Sequence, residues 1–356
     1  MFSSNNRISI RQMQILMIVN SFACIFTVLP KFLASTAGNI GFILILLSGL
    51  IVGLFVSFCL GMIERCNKNT FKETVESIFG KKTGDCIYFL MTIKMLVSGG
   101  LMLRIFCEVI RETILFKTHV SITAFILLLC CIYAHKGGME GFARTSEILF
   151  IIGFIPLVAV FFWAIADTNY TNILPIFDFR SQNILYGFVI SLSVFFGIEN
   201  IFVNYSYVNK NHRPKDVFIT IIFISICASV AYFFTVARFG YITSASKLFP
   251  LITMLDTIEI PGAFIERQFI FVIWSVMASV FVFVNSALNF SKTFNRSRKM
   301  AIFSLIIVYF SCMLPSEILN TFEIFFIINI FGGIVFSIIL PFIMAIYCIG
   351  GGAYKK

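Results

Sequence analysis

"SLSVFFGIENIFVNY", residues 191–205, is apolar at both flanks, yet its middle holds Gly197, Glu199 and Asn200. Glycine weakens a helix and a carboxylate resists burial, so the stretch is no ordinary core helix. In hydrocarbon such an acid must face a cavity or a partner. The rest of the chain decides whether hydrocarbon surrounds it.

Of 356 residues, 59% are hydrophobic, 12% are charged and 45 are phenylalanine. A soluble domain of this length carries charge on about a quarter of its positions. The chain is therefore read as an all-α polytopic membrane protein. Its net charge of +10 does not signal nucleic-acid binding. The basic residues fall in short clusters between apolar runs, "ERCNKNTFKETVESIFGKK" (64–82), "NKNHRPK" (209–215) and "SKTFNRSRK" (291–299), as in cytoplasmic loops.

The ten cysteines lie mostly in apolar runs, where they act as small hydrophobes, and form no disulfide framework. There is no CxxC, and His119, His135 and His212 lie in separate loops, so no metal site is expected. No GxxxxGK[ST] occurs, and no cofactor or catalytic group is expected. The polar start "MFSSNNRISIRQMQ" leads into a long apolar run, which reads as a retained helix and not a removed signal peptide.

Roughly 20 apolar residues cross a bilayer as a helix. About ten transmembrane segments follow: 10–33, 40–63, 86–110, 119–134, 146–166, 184–206, 216–237, 264–290, 300–314 and 322–349, with 238–262 an external loop containing a partial helix. With the N-terminus inside, 18 lysines and arginines fall on the cytoplasmic side and 7 on the other. That bias and the even number of crossings both place the two termini in the cytoplasm.

Glu199 lies about fifteen residues into segment six. It is either hydrated near the inner interface or part of a helix broken in mid-membrane. Gly197 weakens the helix there, and Asn200 and Asn204 can satisfy freed backbone groups. In segment three, Lys94, Ser98 and Leu101 share a face, and Arg104 and Glu108 are spaced to pair. Lys94 either lines a cavity or snorkels to the cytoplasmic interface. Gly99-Gly100 reads as close helix packing. Asn20, Ser21 and Thr27 of segment one and Asn285, Ser286, Asn289 and Ser291 of segment eight complete what a central cavity needs.

These features occur in a recognisable order. "ISIRQMQILMIV…LPKFLASTAG" carries an IS-x-RQ start, then Leu29-Pro30 and Ala37-Gly38. "GGMEGFARTSEILF" (137–150) places Gly138, Glu140, Arg144 and Glu147 in register, and "NILPIF" (172–177) and "LFPLITMLDTIEIPGAFIERQFIFVIW" (248–274) follow. In these motifs the chain resembles the B subunits of bacterial spore-germination receptors, the spore-germination permease branch of the amino acid–polyamine–organocation superfamily.

The resemblance implies a LeuT-like 5+5 inverted repeat in a single domain over 1–356, with repeat one at about 8–166 and repeat two at about 184–349. Segments one and six would be broken around a midplane site. It also implies a non-enzymatic subunit that binds a small germinant, an amino acid in the typical case, together with A and C subunits in the spore inner membrane. The residues it assigns to the pocket are Ala23, Cys24, Ile25, Lys94, Ser98, Leu101, Gly197, Ile198, Glu199, Asn285 and Ser286. The family's Gly-x-Gly in segment one is replaced by Ala23 and Ile25, which makes the first helix more regular there and the pocket smaller or more apolar. A secondary transporter of an amino acid or cation is the alternative that the same fold serves.

Overall fold

The computed structural model describes residues 7–64, 71–166, 168–176, 183–195, 197, 199–205, 207–208, 214–257, 267–295 and 297–349. Among them there are helices and one isolated β-bridge. Hydrocarbon cannot hydrogen-bond a bare backbone, which is why every long apolar run has become a helix.

Ser9 starts α1 (Ile10–Thr27) with a capping box in which Ser9 and Gln12 satisfy each other's backbone amides. The helix is continuous through Ala23–Ile25, as expected without the glycines, and bends at Val28, where φ is −108°. Pro30 sets that bend, since it is tolerated only in the first turn of the next helix, α2 (Leu29–Thr36). Nearly all of α1 from Ile15 onward is buried, so it is the central helix. It packs against several later ones.

A 3₁₀ turn leads into α3 (Gly41–Glu64); the amphipathic α4 (Phe71–Phe79) precedes α5 (Lys81–Thr113). Thirty-three residues make α5 about 50 Å long. Next come α6 (Val120–Lys136) and α7 (Gly138–Ala166). Segment six is split into α8 (Ile184–Ser191), a 3₁₀ turn at Leu192–Phe195, and α9 (Glu199–Tyr205). Then α10 (Pro214–Phe239) is followed by α11 (Tyr241–Ser246) and α12 (Pro250–Asp256), which form the partial helix expected in the long loop. α13 (Arg267–Phe294), α14 (Arg298–Met313) and α15 (Ile318–Gly333) follow, and a π-helical stretch (Ile334–Ile339) joins α15 to α16 (Leu340–Ile349).

Seven of these segments are long and apolar enough to cross a membrane by length and composition among the described residues. Three other expected crossings are represented by α6, α7 and α14, of which α6 and α14 are short. Large apolar side chains such as Leu54, Ile126, Ile155, Ile306 and Ile346 are exposed. A soluble protein would bury that surface; here it faces lipid.

Small residues set the helix contacts. A side chain at Gly100 would overlap the Ser311 hydroxyl and the Val308 carbonyl, so α5 and α14 touch backbone to backbone. Near the C-terminal end of α5, Glu108 pairs with Arg104 and with Arg111, each at 2.8 Å. Two of the sequence motifs meet where Gln12 Nε2 donates to Glu147 Oε2 at 3.2 Å. Just before α1, Ile8 forms a parallel bridge with Val208, its N–H donating to the Tyr207 carbonyl at 3.0 Å. Among the described residues, eight cysteines are free thiols. Cys348 is disulfide-bonded, an exception to the reading of the cysteines as unpaired hydrophobes.

Candidate functional site

The site forms where segment six changes course. Asn183 caps α8 by accepting from the Tyr186 amide at 3.1 Å. After two turns the helix tightens to 3₁₀ at Leu192–Phe195, a geometry helices seldom sustain. At Gly197 φ is +96°, a conformation only glycine adopts cheaply. The chain then re-enters α9, with the Asn200 amide donating to the Gly197 carbonyl at 2.9 Å. The missing side chain also makes room for α1: a Cβ at position 197 would lie 2.8 Å from Asn20 Nδ2.

Glu199, in the first turn of α9, is 0% exposed. Its Oε1 accepts from Lys94 Nζ at 2.8 Å, and its Oε2 has no hydrogen-bond partner among the described residues. Lys94 is 7% exposed and lies thirteen residues into α5, about 20 Å from its N-terminal end. It is paired in the interior and does not snorkel. Its stem rests on Gly332 of α15, where a Cβ would come within 2.9 Å of Lys94 Cγ. One turn along α5, Ser98 donates to Asn329 Oδ1 at 2.9 Å, while Asn329 Nδ2 donates to the Phe325 carbonyl. Segments three, six and ten thus meet at one buried ion pair.

Three cavities surround the break. One of about 30 Å³, room for a single water, is lined by Asn20, Ser21, Gly197, Asn200 and Ser286. Asn20 Oδ1 is buried there without a partner. A polar cavity of about 110 Å³ shares Asn204 with the first and reaches Tyr207, Asn289 and Lys292. The third, of about 140 Å³, also touches Gly197 and is walled by α3, α8, α15 and the π-helical stretch, with Lys94 in its lining.

Of the residues assigned to the pocket from sequence, Lys94, Gly197 and Glu199 come together, while Cys24 is buried in the apolar core. Ser98 joins through Asn329, and Ser286 faces Gly197 across the smallest cavity. The others diverge. Ile25 lines an apolar cavity with Phe22, Phe26 and Phe154. Ala23 is buried, its carbonyl accepting from Thr27 Oγ1. Consecutive residues on a continuous helix point about 100° apart, so 23–25 cannot all face one site. Leu101 is packed in the apolar core, and Asn285 Nδ2 turns back to the Phe281 carbonyl of its own helix. Ile198 lies outside the described residues. Sequence reasoning missed Asn329 and Gly332. The signal was "INIFGG" (328–333), an asparagine and two glycines in an apolar run.

The fold aligns with the crystal structure of MhsT in complex with L-phenylalanine at a TM-score of 0.66, over 94% of this chain and 88% of that one, at 13% identity. The described residues therefore have the LeuT-like fold, and their long apolar helices make the chain a multi-pass membrane protein. Residues 7–318 match the family described as spore germination protein, and the chain belongs to that family. Among its relatives in Bacillus subtilis, spore germination protein B2 is 24% identical over 67% of this chain and 65% of its own length. Spore germination protein YndE is 22% identical over 89% of this chain and 90% of its own, and spore germination protein KB 26% over 74% and 71%.

Proposed function

We propose that the protein is the B-type membrane subunit of a spore germinant receptor. It binds a small germinant, an amino acid in the simplest case, at the break in segment six and signals without chemistry on the ligand. It acts in the spore inner membrane, both termini cytoplasmic, alongside A and C subunits. The observation that carries this reading is the buried Lys94–Glu199 pair beside an interrupted helix. Much of its hydrogen-bonding capacity is unused among the described residues: Glu199 Oε2 is unpartnered, and Lys94 makes one hydrogen bond where an ammonium has three donors. A polar ligand at the break would complete both groups and bias the two halves of the segment towards one arrangement.

The test is Glu199→Gln in spores carrying an otherwise intact receptor. Loss or reshaping of the response to this receptor's germinants is expected, with the subunit still present in the membrane. An unchanged response to every germinant would remove Glu199 from the mechanism.

A transport reading draws support from Asn204, which links the cavity at the break to the one reaching Lys292 near the inner end of α13. Vesicles containing this chain alone distinguish the two. Accumulation of radiolabelled amino acid favours transport, and binding without accumulation favours a receptor.

A further inference from the structure

A groove of about 710 Å³ runs where α1, α7 and α10 meet, and no residue of segment six lines it. Its floor includes Ile15 and Ile18 of α1, both buried. Its flanks include Ile148 and Ile151 of α7 and Ile219 of α10, all at least half exposed. Apolar side chains so exposed in a membrane protein face hydrocarbon. The groove therefore opens to lipid chains along its flanks.

An aromatic cluster bounds it at one end. Phe22 stacks on Phe154 with ring centroids 6.0 Å apart, and Phe154 packs on Phe223 at 6.5 Å. From Arg11 at the other end to Phe22, α1 rises about 16 Å. That is close to half of a hydrocarbon core about 30 Å thick. The groove has the depth of one leaflet, which suits the chains of a single lipid.

The end at Arg11 is polar, with Gln14, Arg144 and Glu147 beside it. Gln14 Nε2 donates to the Asp216 carbonyl at 3.3 Å, and Arg144 pairs with Glu140. Two groups are left. Arg11 is exposed and makes no side-chain hydrogen bond or ion pair among the described residues. Glu147 Oε2 accepts from Gln12, while its Oε1 has no partner among them. An anionic head group would satisfy Arg11 but set its charge against Glu147. A head group carrying both a phosphate and a primary ammonium satisfies the two together, and a quaternary ammonium has no N–H to give the carboxylate.

We propose that this groove binds one zwitterionic aminophospholipid of the phosphatidylethanolamine type. Its phosphate accepts from Arg11, its ammonium donates to Glu147, and an acyl chain lies over Ile15, Ile18 and Ile151 as far as the Phe22–Phe154 stack. The bound lipid bridges α1 and α7. The site stands apart from the break in segment six and holds for a receptor and a transporter alike.

The test is native mass spectrometry of the full chain in detergent, with equimolar phosphatidylethanolamine, phosphatidylglycerol and phosphatidylcholine of identical acyl chains. The wild type should retain phosphatidylethanolamine in excess of the other two. Arg11→Gln should lower that retention about fivefold, the scale of one partly exposed ion pair. Glu147→Gln should abolish the preference over phosphatidylglycerol. Ile151→Trp narrows the groove without touching a charge and should lower retention of all three lipids. Lys81→Gln, an exposed cation outside the lining, should leave the pattern unchanged. Arg11 and Ile151 are exposed, so their variants test the site even where Glu147→Gln fails to fold. Three results overturn the proposal: phosphatidylglycerol or phosphatidylcholine retained as well as phosphatidylethanolamine by the wild type, retention unchanged in Arg11→Gln, or retention undiminished in Ile151→Trp.

Discussion

Lys94 and Glu199 are each costly alone and tolerable together. Removing one partner of a buried pair leaves an uncompensated charge and costs about 3–5 kcal/mol, while replacing both with apolar residues is often nearly neutral. Lys94→Met and Glu199→Leu should therefore each lower unfolding stability by about that amount, and the double variant should lose less than either single one. Chemical denaturation in detergent measures this, and additive losses would show that the two side chains do not depend on each other. Gly197→Ala should cost about 1–3 kcal/mol because φ of +96° strains any other residue. It would also push on the Asn20 amide. Adding Asn20→Ala should recover the steric part of that loss and leave the backbone part, as read from the same denaturation curves.

At the scale of elements, the glycines separate into those under contact and those facing space. Gly100→Ala would force α5 away from α14, and it should lower the melting temperature and loosen the outer end of the bundle. Gly141→Ala meets no neighbour within 4 Å and should be neutral or slightly stabilising, because alanine favours the helix by up to about 1 kcal/mol. Equal losses from the two substitutions would contradict the close packing described for α5 and α14.

This is also the scale at which the sequence was most legible. Hydrophobic length located the seven segments that are long and apolar enough to cross, and Gly197 beside Glu199 marked the break, because both signals are local. Pairings were harder to read. Glu199 and Lys94 are 105 residues apart and Ser98 and Asn329 are 231 apart; only the packing of segments three, six and ten brings them together. The error at residues 23–25 has a geometric source. A family motif names consecutive positions, but a helix that stays regular turns them to different neighbours.

For the molecule as a whole, orientation is the property that the distribution of charge predicts. A fluorescent protein that matures only in the cytoplasm, fused after Lys356, should light up in a growing cell, and an extracytoplasmic phosphatase reporter at the same point should stay silent. The reverse pattern would invert the assignment and place the cavity reaching Lys292 on the outer side.

The bridge between Ile8 and Val208 ties the chain just before α1 to the chain just beyond α9. A seven-residue helix has too few internal bonds to hold its shape unaided, so this inner stub borrows rigidity from whatever grips it. One such grip is the leader strand at Ile8; another is the bond from the Tyr205 hydroxyl to Glu64. Tugging on the stub should therefore tug on the leader, and the Ile8 amide should exchange hydrogen in step with residues 199–205. On that account the leading end of the polypeptide acts as a drawstring for the stub, within reach of any neighbour waiting on the same face of the membrane.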